Sequence, residues 1–151
     1  MTLIKAEGDL FESPALGLVN AVNCVGVAGA GLALQFRNRW PVQMREYTAF
    51  CEAGKMRPGV VHDILLPGGK RILNVATKRH WKDSSHIYDV SAGLAGLRRY
   101  LDETGLASVA LPPLGCGLGG LPKREVAHLV RHWLGDSTAD VHVYGLSIGE
   151  G

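Results

Sequence analysis

The sequence LGLVNAV at residues 16–22 runs directly into the glycine-rich segment NCVGVAGAG at residues 23–31. A second apolar stretch, SVALPPL at residues 108–114, runs in the same way into GCGLGG at residues 115–120. Both segments lead into stretches with helical character. Glycine lets backbone N–H groups approach a phosphate closely, and the start of a helix adds a favourable partial positive charge. Two such loops in one small domain predict a ligand that contains a diphosphate.

The order of the predicted elements indicates an α/β fold. Apolar runs bounded by turn residues predict strands at residues 3–6, 16–22, 60–65, 71–76, 109–111 and 141–146. Helices are predicted at residues 10–13, 31–39, 42–52, 90–101 and 122–134. This alternation predicts one domain over residues 1–151, with a mixed sheet in which residues 60–76 form an antiparallel hairpin. Because ligands bind at the carboxyl ends of parallel strands, we expect both glycine-rich loops and residues 74–78 to share one cleft.

Composition and charge exclude several classes of protein. The 151 residues are 46% hydrophobic, which argues against disorder, and the net charge of +2 permits nucleic-acid contact without requiring it. No apolar run is long enough to cross a bilayer, and Lys5, Glu7 and Asp9 interrupt any signal-peptide pattern, so we expect a cytoplasmic domain with no membrane partner. Three widely spaced cysteines do not predict a disulfide framework, and no metal site stands out.

Two familiar nucleotide-binding motifs do not account for these loops. Residues 115–120 match GxGxxG, but they lie late in the chain and no second mononucleotide-binding half follows. The sequence also lacks GxxxxGK[ST], the motif of P-loop nucleotidases. Neither an NAD-dependent oxidoreductase of the Rossmann type nor a P-loop enzyme is therefore indicated, and we expect no cofactor.

Three polar residues near the first loop have two interpretations each. Asn20 and Asn23 lie at the end of a strand, where their amides either tie the turn together or orient a sugar hydroxyl or a water. Asp9 either caps the short helix after it or accepts a hydrogen bond from an adenine amino group. The adjacent glycine-rich loop favours a functional role for at least one of the asparagines.

Lys78 is the strongest candidate for a catalytic residue. It follows an apolar strand and opens a short basic segment, residues 78–82, that also contains Arg79 and Lys82. A lysine kept neutral by burial and neighbouring cations acts as a nucleophile or a base. The alternative is a lysine that binds phosphate or faces solvent. Trp81 lies in the same segment, where it either stacks on a nucleic-acid base or covers the edge of the sheet.

Taken together, five stretches resemble the macrodomain family. They are GDL at residues 8–10, LVNAVNCVG at 18–26, GAGLALQF at 29–36, NVATK at 74–78 and PPLGCG at 112–117. The resemblance covers essentially the whole chain, and the motifs are specific in combination. Within the family, the chain is most similar to the branch that contains the terminal ADP-ribose protein glycohydrolase and the macrodomain of DarG-type antitoxins.

The resemblance implies a three-layer α/β/α fold with a mixed central sheet and an ADP-ribose cleft. It implies an adenine contact at Asp9, distal-ribose contacts near Asn20 and Asn23, and a catalytic lysine at Lys78, with Asn20 as a second catalytic residue. The expected ADP-ribose contacts are Asp9, Leu10, Asn20, Asn23, Gly29, Ala30, Gly31, Leu32, Thr77, Gly115, Cys116, Gly117, Leu118 and Gly119. The expected DNA contacts are Arg79, His80, Trp81 and Lys82.

Two departures from the family pattern bear on the substrate. Protein-directed members of the branch pair their lysine with an acid in the second glycine-rich loop, and residues 115–120 contain none, as in the DNA-directed members. Related DarG sequences often carry a lysine where this chain has Ala30, so only the backbone is expected to bind there.

The resemblance therefore implies a hydrolase that removes ADP-ribose from thymidine in single-stranded DNA. Such an enzyme would act as an antitoxin, with a DarT-type toxin as its partner, and we expect a monomer. Two alternatives stay open at this point. One is a hydrolase of ADP-ribosyl esters on protein carboxylates, and the other is a module that binds ADP-ribose without cleaving it.

Overall fold

The computed structural model describes residues 2–149, which form a sheet between two layers of helices. The elements along the chain are β1 (Leu3–Ala6), β2 (Gly17–Val22), α1 (Gly31–Arg39), α2 (Pro41–Glu52), β3 (Val61–Leu65), β4 (Arg71–Ala76), α3 (Ile87–Thr104), β5 (Ser108–Leu111), α4 (Lys123–Leu134) and β6 (Asp140–Tyr144). A short 3-10 turn, Leu10–Glu12, follows β1. The predicted α/β class and the alternation of elements are confirmed.

The sheet has six strands in the order β1-β6-β5-β2-β4-β3. All neighbouring pairs are parallel except β3 and β4, which form the predicted antiparallel hairpin. The turn between them is closed by the N–H of Leu66, which donates to the carbonyl of Lys70 at 2.8 Å. Because β2 lies between β5 and β4, the carboxyl ends of these central parallel strands lie side by side.

Two apolar cores hold the three layers together. On one face of the sheet, α3 and α4 pack against strand residues such as Val19, Val109 and Val141. On the other face, α1 and α2 pack against residues such as Leu18 and Ile72. The central strands are buried on both faces, which explains why their sequences are nearly continuous apolar runs.

Helix α3 approaches the sheet unusually closely, because two glycines face its neighbours. A Cβ atom at Gly93 would lie 2.6 Å from Val75 Cγ1, and one at Gly96 would lie 2.2 Å from the carbonyl oxygen of Gly59. No larger residue fits at either position without moving the helix. The middle of α3 therefore lies in close contact with the end of β4 and with Gly59, which precedes β3.

Three predicted boundaries are wrong by two or more residues, for identifiable reasons. Helix α3 ends at Thr104 rather than at residue 101, because Gly105 terminates it with a φ of 69°. Helix α3 begins at Ile87 rather than at residue 90, because the side chain of His86 caps it by accepting from the N–H of Tyr88. Strand β6 ends at Tyr144 rather than at residue 146, because Gly145 turns the chain with a φ of 72°. Leu146 stays buried in the core and so continues the apolar run that suggested a strand.

Candidate active site

One cleft of about 860 Å³ opens at the carboxyl ends of β2, β4 and β5. Its walls come from the loop after β2, the segment after β4 and the loop after β5, as expected from the sequence. The predicted site residues on its walls are Asn23, Gly29, Ala30, Gly31, Leu32, Thr77, Lys78, Trp81, Lys82, Gly115, Gly117, Leu118 and Gly119.

The first glycine-rich loop is built around the side chain of Asn23. Its Oδ1 accepts from the backbone N–H groups of Val25 at 3.0 Å, Gly26 at 3.1 Å and Val27 at 3.4 Å. Its Nδ2 donates to the carbonyl of Val27 at 2.8 Å. Asn23 lines the cleft, but these bonds give its amide the turn-tying role that was one of its two interpretations.

Tyr47 of α2 packs against this loop and contacts Asn23. Its hydroxyl lies 2.8 Å from the carbonyl oxygen of Asn23 and 3.0 Å from Oδ1 of the same residue. The side chain is fully buried, and burial raises the pKa of its hydroxyl, so the group stays protonated and donates. Sequence analysis missed this residue, because its spacing from Met44 and Cys51 indicates only a buried helix face.

The loop ends at the first turn of α1, which faces the cleft. The residue before the helix is Ala30, which has no side-chain group that could cap it. The first N–H groups of a helix lack partners within the helix, so this turn offers them to an anion. Leu118 of the second loop reaches the same place, because its Cδ1 lies 3.2 Å from where a Cβ of Gly31 would be.

The second glycine-rich loop folds around Ser85, which follows the basic segment. The backbone N–H of Ser85 donates to the carbonyl of Gly119 at 3.0 Å. A Cβ at Gly119 would lie 2.1 Å from Ser85 Oγ, so this position requires glycine for steric reasons. Sequence analysis missed Asp83, Ser84 and Ser85, all of which line the cleft. Their position directly after the basic segment was the available signal.

Lys78 sits on backbone that is fixed on both sides. The N–H of Thr77 donates to the carbonyl of Val22 at 2.9 Å, and the N–H of Cys24 donates to the carbonyl of Arg79 at 3.1 Å. These bonds continue the pairing of β2 and β4 beyond their ends. The Lys78 side chain is half-buried on the cleft wall, and within residues 2–149 it has no hydrogen-bond or ion-pair partner. Its amine is therefore available to a bound ligand.

The basic segment divides between the cleft and the outer surface. Trp81 and Lys82 line the cleft, and Lys82 Nζ lies 5.2 Å from the centre of the Trp81 ring. Arg79 and His80 are not among the lining residues. The guanidinium of Arg79 pairs with the carboxylate of Asp89 in the first turn of α3, at 3.3 Å.

Asn20 is not among the residues that line the cleft, and its expected role as a second catalytic residue stays a prediction. It is fully buried, and its Nδ2 donates to Asn74 Oδ1 at 3.0 Å. Asn74 Nδ2 lies 3.3 Å from His62 Nδ1, so these three side chains form a polar row across β2, β4 and β3. Burial lowers the pKa of His62, which favours its neutral form in this row.

Three further residues expected to contact the ligand are not among the residues that line the cleft. Asp9 caps the 3-10 turn by accepting from the N–H of Phe11 at 3.0 Å, and its carboxylate lies 3.7 Å from the guanidinium of Arg39. Leu10 is buried in the core beside α1 and α2. Cys116 is partly buried, with Sγ 3.7 Å from the carbonyl oxygen of Leu114, and burial raises the pKa of its thiol.

Residues 2–149 contain no group of three His, Cys, Asp or Glu side chains placed to hold a metal ion. In the same residues, no helix has both the length and the apolar character needed to cross a membrane.

Comparison with known proteins decides the family. The model of the Macro domain family matches residues 19–130, which carry all three loops of the cleft. This chain is a macrodomain. The solved macrodomain of Thermus aquaticus DarG superposes on it with a TM-score of 0.89 and 38% identity, covering 95% of this chain and 97% of the other. The three-layer α/β/α architecture and the similarity to DarG macrodomains are thus confirmed.

Two further relatives carry informative names. A Mycobacterium tuberculosis protein named DNA ADP-ribosyl glycohydrolase is 45% identical over 122 residues, which cover 79% of this macrodomain and 35% of the relative. The structure of Thermosipho africanus DarTG in complex with ADP-ribose matches with a TM-score of 0.87 and 30% identity, covering 99% of this chain and 43% of the other. The macrodomain spans about a third of the length of the curated relatives it matches.

Proposed function

We propose that this macrodomain removes ADP-ribose from thymidine in single-stranded DNA. One observation carries the proposal: Lys78, whose amine has no partner among residues 2–149, shares the walls of one cleft with both glycine-rich loops. The relatives at 42–45% identity that are named DNA ADP-ribosyl glycohydrolase support the same reaction. The residues of the cleft suit both parts of this reaction, which are binding of a diphosphate and attack on a sugar carbon.

The diphosphate of ADP-ribose would lie between the two glycine-rich loops. The first turn of α1 offers uncapped N–H groups, and Leu118 of the second loop lies against the same turn. The distal ribose would then lie towards Asn23 and Lys78, which line the cleft at the ends of β2 and β4. The adenine contact at Asp9 stays part of this proposal, because its carboxylate is about half exposed beside Arg39.

Hydrolysis breaks the bond between ribose C1″ and the base nitrogen. The oxygen of a water ends on C1″, and a proton ends on the departing base. Positive charge develops on the ribose and negative charge on the base, so two roles suit Lys78. A neutral amine attacks C1″ and forms a covalent intermediate that water then releases. A protonated amine instead stabilises the negative charge of the leaving base.

Replacements of Lys78 test the proposal and separate these roles. Lys78→Ala should abolish release of ADP-ribose from a modified single-stranded oligonucleotide, measured by gel shift and mass. It should leave affinity for free ADP-ribose within about threefold, because the loops bind the diphosphate through backbone groups. Lys78→Arg keeps the charge and lacks a nucleophilic amine, so partial activity indicates charge stabilisation and complete loss indicates attack. Release by Lys78→Ala at the wild-type rate would overturn the assignment.

The same assay decides between the proposal and its two alternatives. The second loop contains no acid at residues 115–120, which argues against a hydrolase of esters on protein carboxylates. Turnover of modified protein but not of modified DNA would nevertheless establish that activity. Tight binding of ADP-ribose with no turnover of either conjugate would establish a binding module.

The remaining assignments belong to the same proposal. Because it is buried, Asn20 acts as a positioning residue that holds β2 against β4 beneath the site. Arg79, His80, Trp81 and Lys82 contact the DNA strand through charge and stacking. We propose that the macrodomain is monomeric and cytoplasmic and opposes a DarT-type toxin, as suggested by the relative named as a fusion of a DNA ADP-ribosyl transferase with a glycohydrolase.

A further inference from the structure

The chain between Arg79 and Asp89 forms a closed surface loop. Its two ends are joined by the Arg79 guanidinium, which donates to both carboxylate oxygens of Asp89 at 3.3 and 3.4 Å. Its middle is anchored by Ser85, whose backbone N–H donates to Gly119. With both ends and the middle held, the side chains on the outside of this loop are presented on a fixed support.

Two pairs of a histidine and an aromatic residue stand on this loop, and they are built alike. His80 Nδ1 accepts from the N–H of Lys82 at 3.1 Å, and the His80 ring lies 5.4 Å from the ring of Trp81. His86 Nδ1 accepts from the N–H of Tyr88 at 3.3 Å, and its ring stacks on that of Tyr88 at 5.1 Å. Because Nδ1 accepts in both, each neutral ring carries its proton on Nε2, where it can donate to a ligand.

Both aromatic side chains are exposed to solvent although neither supports the core. Trp81 is 49% exposed on the cleft wall, and Tyr88 is 76% exposed beyond it. The Arg79–Asp89 ion pair joins the residue next to His80 to the residue next to Tyr88. Lys82 places a cation beside the Trp81 ring, and the exposed guanidinium of Arg79 lies at the start of the same loop, paired with Asp89. Exposed rings interleaved with cations suit unpaired bases joined by phosphates.

We propose that Tyr88 with His86 forms a second stacking platform for single-stranded DNA, next to the one at Trp81. This inference rests on the proposed function for the cleft and specifies its substrate further. The strand that carries ADP-ribose leaves the cleft over Trp81, and a neighbouring base stacks on Tyr88. A duplex does not fit this surface, because its base faces are already stacked on one another.

Binding of unmodified DNA tests the platform independently of hydrolysis. Fluorescence anisotropy would compare a labelled thymidine-rich single strand of about twelve nucleotides with the same sequence as a duplex. Tyr88→Ala should raise the Kd for the single strand about tenfold, while Tyr88→Phe keeps the ring and should bind as the wild type does. Leu65→Ala is the matched control, because Leu65 is 58% exposed and pairs with Arg71 at the amino end of β4, whereas the loop follows the carboxyl end of that strand. Equal Kd values for Tyr88→Ala and wild type, or no binding of the strand, would overturn the inference.

A kinetic comparison separates this inference from the proposed function. The ratio of kcat/KM for a modified oligonucleotide to that for a modified mononucleotide should fall about tenfold in Tyr88→Ala. An unchanged ratio with active wild-type protein contradicts the platform and leaves the glycohydrolase standing. Binding of the strand through Tyr88 without release of ADP-ribose contradicts the glycohydrolase and leaves the platform standing.

Discussion

Replacing Gly119 by alanine should damage the second glycine-rich loop by a purely steric route. The new Cβ would lie 2.1 Å from Ser85 Oγ, 2.5 Å from the carbonyl oxygen of Gly115 and 2.7 Å from Ser85 Cβ. The φ of Gly119 lies outside the left-handed region, so the backbone conformation itself suits alanine. Restoring normal contact distances requires the loop to move by about 1 Å.

The size of the effect follows from this displacement. Overpacking of this kind costs about 1–3 kcal/mol of unfolding free energy. For a chain of this length, each kcal/mol lowers the melting temperature by about 2–4 °C, so Gly119→Ala should melt about 2–12 °C below the wild type. The displaced loop also misplaces the N–H groups that would hold the diphosphate, so affinity for ADP-ribose should fall at least about tenfold.

Thermal unfolding followed by circular dichroism and calorimetric titration with ADP-ribose would measure both effects. Gly117→Ala is the matched control for stability, because no atom lies within 4 Å of its Cβ position. Adding Ser85→Gly to Gly119→Ala removes two of the three close contacts and should restore part of the stability. The steric argument is refuted if Gly119→Ala melts at the temperature of Gly117→Ala and binds ADP-ribose as the wild type does.

Two other predictions concern the support beneath the cleft. Tyr47→Phe removes the hydroxyl that donates to Asn23, so the free energy of unfolding measured in urea should fall by about 1–2 kcal/mol. Tyr88→Phe is the control, because Tyr88 is exposed and its replacement should leave the free energy of unfolding unchanged. Equal unfolding free energies for the two variants would contradict the role of Tyr47. Burial lowers the pKa of His62 from its ordinary value of 6.5, so His62 is protonated at a higher pH in the unfolded chain than in the folded one. Stability should therefore decrease below about pH 6.5, and His62→Gln should reduce this decrease in urea unfolding at about pH 7.5 and pH 5. The same pH dependence in both proteins would show that another group causes it.

Most of the fold could be predicted because turn residues stand at the ends of the apolar runs along the chain. Helix α1 matches its predicted bounds, and β3 and β4 form the predicted hairpin within residues 60–76. The start of α3 was missed because histidine is an unusual cap, and Tyr88 in its first turn is exposed rather than part of an apolar stripe.

The position of the cleft could be predicted, but not the orientation of every polar side chain near it. Parallel strands end at one edge, so the two glycine-rich loops and Lys78 had to converge there. The sequence does not say that Asn20 faces Asn74 instead of the cleft, because this depends on the pairing of β2 with β4. The contact of Tyr47 with Asn23 joins residues far apart in the chain, and no local pattern reveals it.

The network around Asn23 has a consequence for how a ligand is recognised. The Asn23 amide accepts three hydrogen bonds and donates one, and with Tyr47 packed against it these contacts within the chain fix the conformation of residues 23–27. The entropy of ordering this loop is thus lost during folding, and binding need not lose it again. A rigid loop of this kind distinguishes between ligands by how well they fit its fixed shape. A nucleotide that lacks one phosphate forfeits that contact in full, because the loop cannot close around the smaller molecule.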